Sequence, residues 1–192
     1  MTNKERYIQL YREHIKRDGG KELLDWLLQT DFFTAPASTR FHLCEEGGLC
    51  EHSLNVYDCL KERHGSEYPD ETIAIVALLH DLCKAQFYKV STRNQKNEQT
   101  GQWEKVPYYT IEDRFPFGHG EKSVFLIERF MRLKIEEAVA IRWHMGGFDD
   151  TAKAGGYTVS NAFEMYPLAV KLHVADIEAT YLCEGKSKTE NE

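Results

Sequence analysis

The chain has 192 residues, with 24 basic against 31 acidic side chains and a formal charge of -7. That length is ample for one well-buried core, and the acidic balance argues against a protein whose main work is wrapping a nucleic-acid backbone. Apolar residues make up 42% and charged residues 29%, an ordinary soluble composition. No apolar run has the length of a membrane span, and the N-terminal MTNKERYIQLYREH lacks a signal-peptide core, which predicts a cytoplasmic protein without membrane contact. Five cysteines without a Cys-x-x-Cys pair fit reduced thiols better than a disulfide framework.

Residues 5–17 place Ile8, Tyr11 and Ile15 at helical spacing, and Gly19-Gly20 ends that helix. Lys21–Gln29 predicts a second helix with Leu23, Leu24, Leu27 and Leu28 on one side. The stretch from Thr30 to Gly48, with Pro36, Ser38 and Gly47-Gly48, reads as a loop. Leu49, Ser53, Val56 and Leu60 mark a third helix, stopped at Gly65. Pro69, Asp70 and Glu71 open a fourth that runs through IAIVALLHDLCK, apolar on nearly every side and therefore the most buried helix.

The period changes after Ala85. QFYKVSTR and QWEKVPYYTI, separated by the polar NQKNEQTG, predict a β-hairpin over about residues 87–111 with an exposed edge at Pro107. Helical spacing returns at Glu121–Met131 and Ile135–Trp143. A glycine-rich loop follows, and Pro167 starts a last helix, PLAVKLHVADIEATYL. The expectation is an all-α bundle of six or seven helices carrying one inserted hairpin (88–112), a single domain over 1–183, and a frayed tail over 184–192.

Among the eight histidines, His80 stands beside Asp81 near the end of the buried apolar helix. An imidazole and a carboxylate in a core need partners, because unpaired buried polar groups are costly. A divalent metal satisfies both at once, and His52 on the preceding helix and Asp176 in the last one are natural completing ligands.

On these residues the chain resembles the HD-domain superfamily of metal-dependent phosphohydrolases. The matching pieces are Gly-Gly-Leu-Cys-Glu-His-Ser ending in His52-Ser53, Leu-Leu-His-Asp-Leu-Cys-Lys at 78–84, and Val-Ala-Asp at 174–176, spanning about residues 36–182. Two-metal members of that superfamily add two histidines between the His-Asp pair and the last aspartate, positions that His119 and His144 match in order. The resemblance implies two divalent ions (Mn, Fe, Zn, Mg, Co and Ni are not distinguished). It implies that Asp81 bridges them, with His52, His80 and Asp176 on one and His119 and His144 on the other. It further implies a catalytic role for Lys84 as a phosphate contact, and Ser123 or Arg142 as further phosphate contacts. Arg40 and His42, in the loop before the first ligand, would face the substrate.

Blander readings stand beside these. Lys84 is also suited to capping its helix, Arg142 to an ion pair, and His173 to packing near the site. His42, Cys44, Cys50 and His52 form His-x-Cys-x5-Cys-x-His, a rival structural-zinc set whose spacing fits no common zinc-finger pattern. In the hairpin, Lys89, Arg93, Lys96 and Lys105 outweigh Glu98 and Glu104 by two charges, with Phe87, Tyr88, Trp103, Tyr108 and Tyr109 nearby. Those aromatics, Trp103 above all, either stack a substrate base or are buried on the bundle or in a contact between copies of a homo-oligomer. The function expected is hydrolysis of a small phosphorylated substrate, a nucleotide or short oligonucleotide. The rivals are a 3'-5' single-strand exonuclease of the HD type and a catalytically silent HD nucleotide-binding module.

Overall fold

The computed structural model describes residues 1–184, so the expected tail from 185 onward lies outside the described residues. Its helices are α1 (Asn3–His14), α2 (Gly20–Leu27), α3 (Gly48–His64), α4 (Asp70–Leu79), α5 (His119–Glu128), α6 (Ile135–Trp143), α7 (Asp150–Lys153), α8 (Thr158–Met165) and α9 (Pro167–Glu178). A 3₁₀ turn (Leu82–Lys84) follows α4, and a π-helical turn (Ala179–Cys183) prolongs α9. The strands β1 (Tyr88–Lys96) and β2 (Trp103–Ile111) lie between α4 and α5. Among the described residues no helix is long and apolar enough to cross a membrane.

Helix α4 is the centre of the bundle. Every residue from Thr72 to Leu79 is buried, as expected from a helix without a polar face. Helices α1, α3 and α6 pack against it, while α9 lies on α3 and α6. The aromatic side of the core comes from α1 and the loop after α2, where Tyr7, Tyr11 and Phe32 are almost entirely covered. Both hydroxyls are satisfied: Tyr7 donates to the Leu78 carbonyl and Tyr11 to that of Gly20, each at 2.8 Å.

Several boundaries differ from those the periodicity predicts. Helix α1 starts at Asn3 behind a Thr2–Glu5 capping box and stops at His14, not at residue 17. Its continuation is captured instead by α4: the backbone N–H groups of Lys16 and Arg17 both donate to Glu71 Oε1 at 2.9 Å. The glycine-rich stretch after His144 contains the short α7, and α8 precedes Pro167 unpredicted. Only Ala162 of α8 is buried, so it leaves little periodic trace in the sequence.

Strands β1 and β2 form one antiparallel hairpin, with Tyr88 opposite Ile111 at its base and Lys96 opposite Trp103 at its far end. Only the base meets the bundle; from Thr92 to Lys96 every residue is exposed. Trp103, expected in the substrate cleft, is 71% exposed. It stands opposite Lys96, eight residues along β1 from Tyr88, roughly 26 Å at the usual rise. Extension along the strand therefore carries Trp103 away from the bundle, and it does not line the cleft of its own chain.

A buried ion-pair network joins the segment after α1 to the first turns of α4 and α6. The Glu137 side chain has no exposed surface and accepts from Arg17 Nη1 at 2.6 Å, Arg17 Nη2 at 3.0 Å and Thr72 Oγ1 at 2.9 Å. Arg17→Ala removes the bidentate cation from that carboxylate and leaves it only the Thr72 hydroxyl and the Lys134 N–H (2.8 Å) as close donors, and a loss of about 3 kcal/mol is expected in chemical denaturation. Arg17→Met with Glu137→Leu, which leaves no buried charge, is expected to recover at least half of it.

Candidate metal centre

The loop–helix joints of the bundle converge on Asp81. Helix α4 ends at Leu79, and Asp81 leaves helical geometry (φ -100°, ψ 22°) before the 3₁₀ turn. The expected continuous helix through Lys84 is thus broken at the His-Asp pair. Lys84, three residues on, brings its Nζ to 2.6 Å from Asp81 Oδ2.

The two Asp81 oxygens face different neighbours. Oδ2 lies 3.5 Å from His80 Nε2 and 3.6 Å from His52 Nε2, and His52 Nε2 is 3.2 Å from both Asp176 Oδ1 and His80 Nε2. Oδ1 lies 2.8 Å from His119 Nε2 and 3.5 Å from His144 Nε2. Among the described residues four sets of side chains offer ligand atoms within 4.8 Å of one another here: His42, His52 and Glu184; His52, His80 and Asp81; His80, His144 and Asp176; and Asp81, His119 and His144. The six expected ligands therefore meet in one place around the two Asp81 oxygens, with His80, His144 and Asp176 joining the two sides.

The orientation of the rings comes from the helix ends. His80 and His144 each occupy the C-terminal cap position, of α4 and α6 respectively. Each donates from Nδ1 to the carbonyl three residues back, His80 to Ala77 at 2.8 Å and His144 to Ile141 at 2.7 Å. Carbonyls in a last turn have no intrahelical partner, so they are free to accept. The proton on Nδ1 leaves the Nε2 lone pair facing Asp81, the tautomer a metal ligand needs. His144 Nε2 is buried without any hydrogen-bond partner, an unsatisfied acceptor of the kind a cation satisfies.

Glycines let the fifth and sixth helices meet. A Cβ on Gly120 would lie 2.1 Å from the Arg142 carbonyl oxygen, and Gly118 holds φ +85°. The Gly-His-Gly sequence thus turns the chain into α5 and presses it on α6, bringing the His119 and His144 rings to 5.1 Å.

Around the pocket three carboxylates, Asp81, Asp176 and Glu184, face the single ammonium of Lys84, an excess of two negative charges before the histidines are counted. Burial opposes ionisation of Asp81, yet Lys84 and His80 hold its carboxyl well below the usual range. Burial likewise opposes the charged form of Lys84, and Asp81 outweighs it and raises the pKa. Burial pulls His52 down, but hydrogen bonds to Asp176 and Glu184 push it up to about 9. Burial also works against His119, which Cys83 and Asp81 lift to about 10. His80, where burial dominates, falls to about 4.

Other expected site residues are placed elsewhere. Ser123 is fully buried and its Oγ accepts from the Cys83 N–H at 3.0 Å. One turn on from His119, it faces the 3₁₀ turn inside the bundle and not a substrate. Arg142 is committed to Glu121 and to Asp149 (2.9 Å), with its guanidinium 3.8 Å from the Trp143 ring centroid, so it is a structural cation. Arg40 is exposed in its loop. His42 packs edge-on against His52, ring centroids 4.8 Å apart, and its Nδ1 meets Glu184. His173 bonds the His144 carbonyl at 2.6 Å, the packing role expected of it. The rival zinc set does not assemble, since Cys50 is buried in the core beside Tyr7 while Cys44 is exposed next to Ser38.

Sequence reading missed Glu184, which falls in a polar stretch with no periodicity and was assigned to the frayed tail. Its side chain is fully enclosed, with Oε1 2.8 Å from His52 Nδ1.

A helical bundle that gathers four imidazoles and two carboxylates with inward-facing Nε2 atoms has the make-up of a divalent-metal centre. The HD domain family matches residues 49–181, and the chain belongs to that family, whose members are generally metal-dependent phosphohydrolases. Searches among curated proteins and among solved structures return no match.

Metal binding here competes with protons. His52 and His119 keep theirs up to about pH 9 and 10 in the metal-free chain, whereas a ligand imidazole must be neutral on the coordinating nitrogen. Calorimetry of Mn²⁺ binding in two buffers of different ionisation heat is expected to show at least one proton released per ion at pH 7, falling toward none above pH 10. Affinity should rise about tenfold per pH unit for each proton displaced.

Proposed function

We propose that this chain is a cytoplasmic phosphohydrolase that cleaves a phosphoester bond of a nucleotide or short oligonucleotide with two divalent ions. The reading is carried by one observation: the inward Nε2 atoms around a divided Asp81 carboxylate, that of His144 buried and unpartnered. His52, His80, Asp176 and Asp81 Oδ2 would hold one ion, and His119, His144 and Asp81 Oδ1 the other. Such ions, when bound, polarise phosphoryl oxygens and make water nucleophilic near neutral pH.

The chain's own residues do the rest. Lys84, its side chain 14% exposed at the edge of the pocket, keeps its charge and is placed to bind and orient a phosphoryl oxygen. It is a point charge there and not a proton donor, because Asp81 raises its pKa.

Substrate selection moves from the tip of the hairpin to its base. A cavity of about 500 Å³ lies there, bordered by Trp26, Tyr88, Phe115, Lys122 and Arg129, a volume in the range of ligand sites. Ala85, the residue after Lys84, also lines it. Tyr88 stands between the two sites: it borders the cavity, its hydroxyl donates to the Ala37 carbonyl at 3.1 Å, and Lys84 and Asp81 act on its ionisation. Asp31 and Glu112 in the same lining offset its cations, and Lys122 pairs with Asp113, so it is the aromatic faces that support a stacked base.

The deciding experiment is a hydrolysis screen of nucleotides and short oligonucleotides after chelator stripping, with Mn²⁺, Co²⁺, Ni²⁺, Mg²⁺ or Zn²⁺ restored. Turnover that is metal-dependent and absent in Asp81→Ala is the expected result. A chain that binds nucleotides with no turnover under any ion would be the silent module instead.

For the cavity, Tyr88→Ala is expected to raise KM for the preferred nucleotide about tenfold, the value of one lost stacking contact. The same variant should barely alter hydrolysis of bis(p-nitrophenyl) phosphate, and Trp103→Ala should leave both substrates unchanged.

A further inference from the structure

We propose that Glu184 is a positioning residue of the metal centre, fixing the ring of His52 and tying the His42 loop to it. The inference rests on the metal-binding reading above and extends it to a segment outside the family match, which ends at residue 181.

His52 differs from the other two buried imidazoles. His80 and His144 sit at helix ends, where a free carbonyl three residues back takes the Nδ1 proton. His52 lies inside the continuous α3, Gly48–His64, where backbone carbonyls are already engaged by the helix. Its Nδ1 therefore needs an acceptor from another element, and Glu184 Oε1 provides one at 2.8 Å. With Nδ1 held, Nε2 faces Asp176 and Asp81.

The carboxylate is built in rather than leaning on the site by chance. It has no exposed surface, and burying a charge is tolerable only with full hydrogen bonding. Three donors meet it: His52 Nδ1, Asn55 Nδ2 at 3.1 Å on the same Oε1, and His42 Nδ1 on Oε2. They come from α3 and from the loop before it. The π-helical turn delivers Glu184, whose own N–H donates to the Ala179 carbonyl at 3.0 Å. The preceding Cys183 lies against α3, its Sγ 3.7 Å from that of Cys59. A carboxylate behind a ligand imidazole orients the ring and raises its basicity, and losing one commonly weakens metal binding tenfold to a hundredfold.

The test uses Co²⁺ titration of the full, chelator-stripped chain, followed by visible absorption. Glu184→Ala is expected to weaken Co²⁺ binding tenfold to a hundredfold and to alter the absorption spectrum. Glu184→Gln, which keeps an acceptor but not the charge, should fall between it and the wild type. Cys183→Ser, a near-isosteric change at the exposed residue before Glu184 that leaves the carboxylate and its donors in place, should bind like the wild type. Affinity within twofold of wild type and an unchanged spectrum in Glu184→Ala overturn the proposal; if that variant does not fold, the same result in Glu184→Gln does so. A wild-type chain that takes up no Co²⁺ overturns the metal-binding reading itself and this role with it, so the two failures are separable.

Discussion

Everything in this fold is arranged around the burial of the Asp81 carboxylate. A charge with almost no access to water is destabilising unless every lone pair is met. Here one oxygen faces Lys84, His80 and His52 while the other faces His119 and His144. Five side chains from four segments have to arrive together, and the packing of α3, α4, α5 and α6 is what brings them. The break in the helix after Leu79 falls at this same residue, and Lys84 still reaches the carboxylate three residues before it, as an i,i+3 pair on a helix face would.

Helix termini do much of the electrostatic work. The C-terminal ends of α4 and α6 both point at the centre, carrying the partial negative charge of unpaired carbonyls. That field favours a cation between them. The same carbonyls hold the Nδ1 protons of His80 and His144, so one piece of backbone geometry sets the charge of the pocket and the tautomer of these two imidazoles. Glu184 extends this logic to the imidazole that lies too far inside its helix to use a carbonyl.

The hairpin divides into two parts with different physics. Its base is packed by Phe87 and Tyr88 and by Lys122, whose ammonium pairs with Asp113 at 2.7 Å and lies 5.0 Å from the Phe87 ring. Beyond Ser91 the strands hold only each other. Proximity of the hairpin to Asp81 and His119 along the chain therefore translates into proximity in space for its first residues alone.

The amino-acid pattern by itself pointed to the family, the buried α4 and the six candidate ligand residues, because each of these depends on local spacing: apolar period, a His-Asp pair on an apolar helix, and histidines beside glycine. It also placed the hairpin, through the change from helical to alternating periodicity after Ala85. Local spacing states which face of a helix a residue occupies, but not which neighbour covers that face. That is why Ser123 and Arg142, at suggestive distances from His119 and His144, turned out to serve a backbone N–H and a pair of carboxylates. Glu184 shows the same division most clearly. Nothing about an isolated glutamate after an apolar helix marks it as special, and only the tertiary structure, by wrapping the end of α9 onto α3, encloses its charge against His52 and makes the hydrogen bonds that such burial demands.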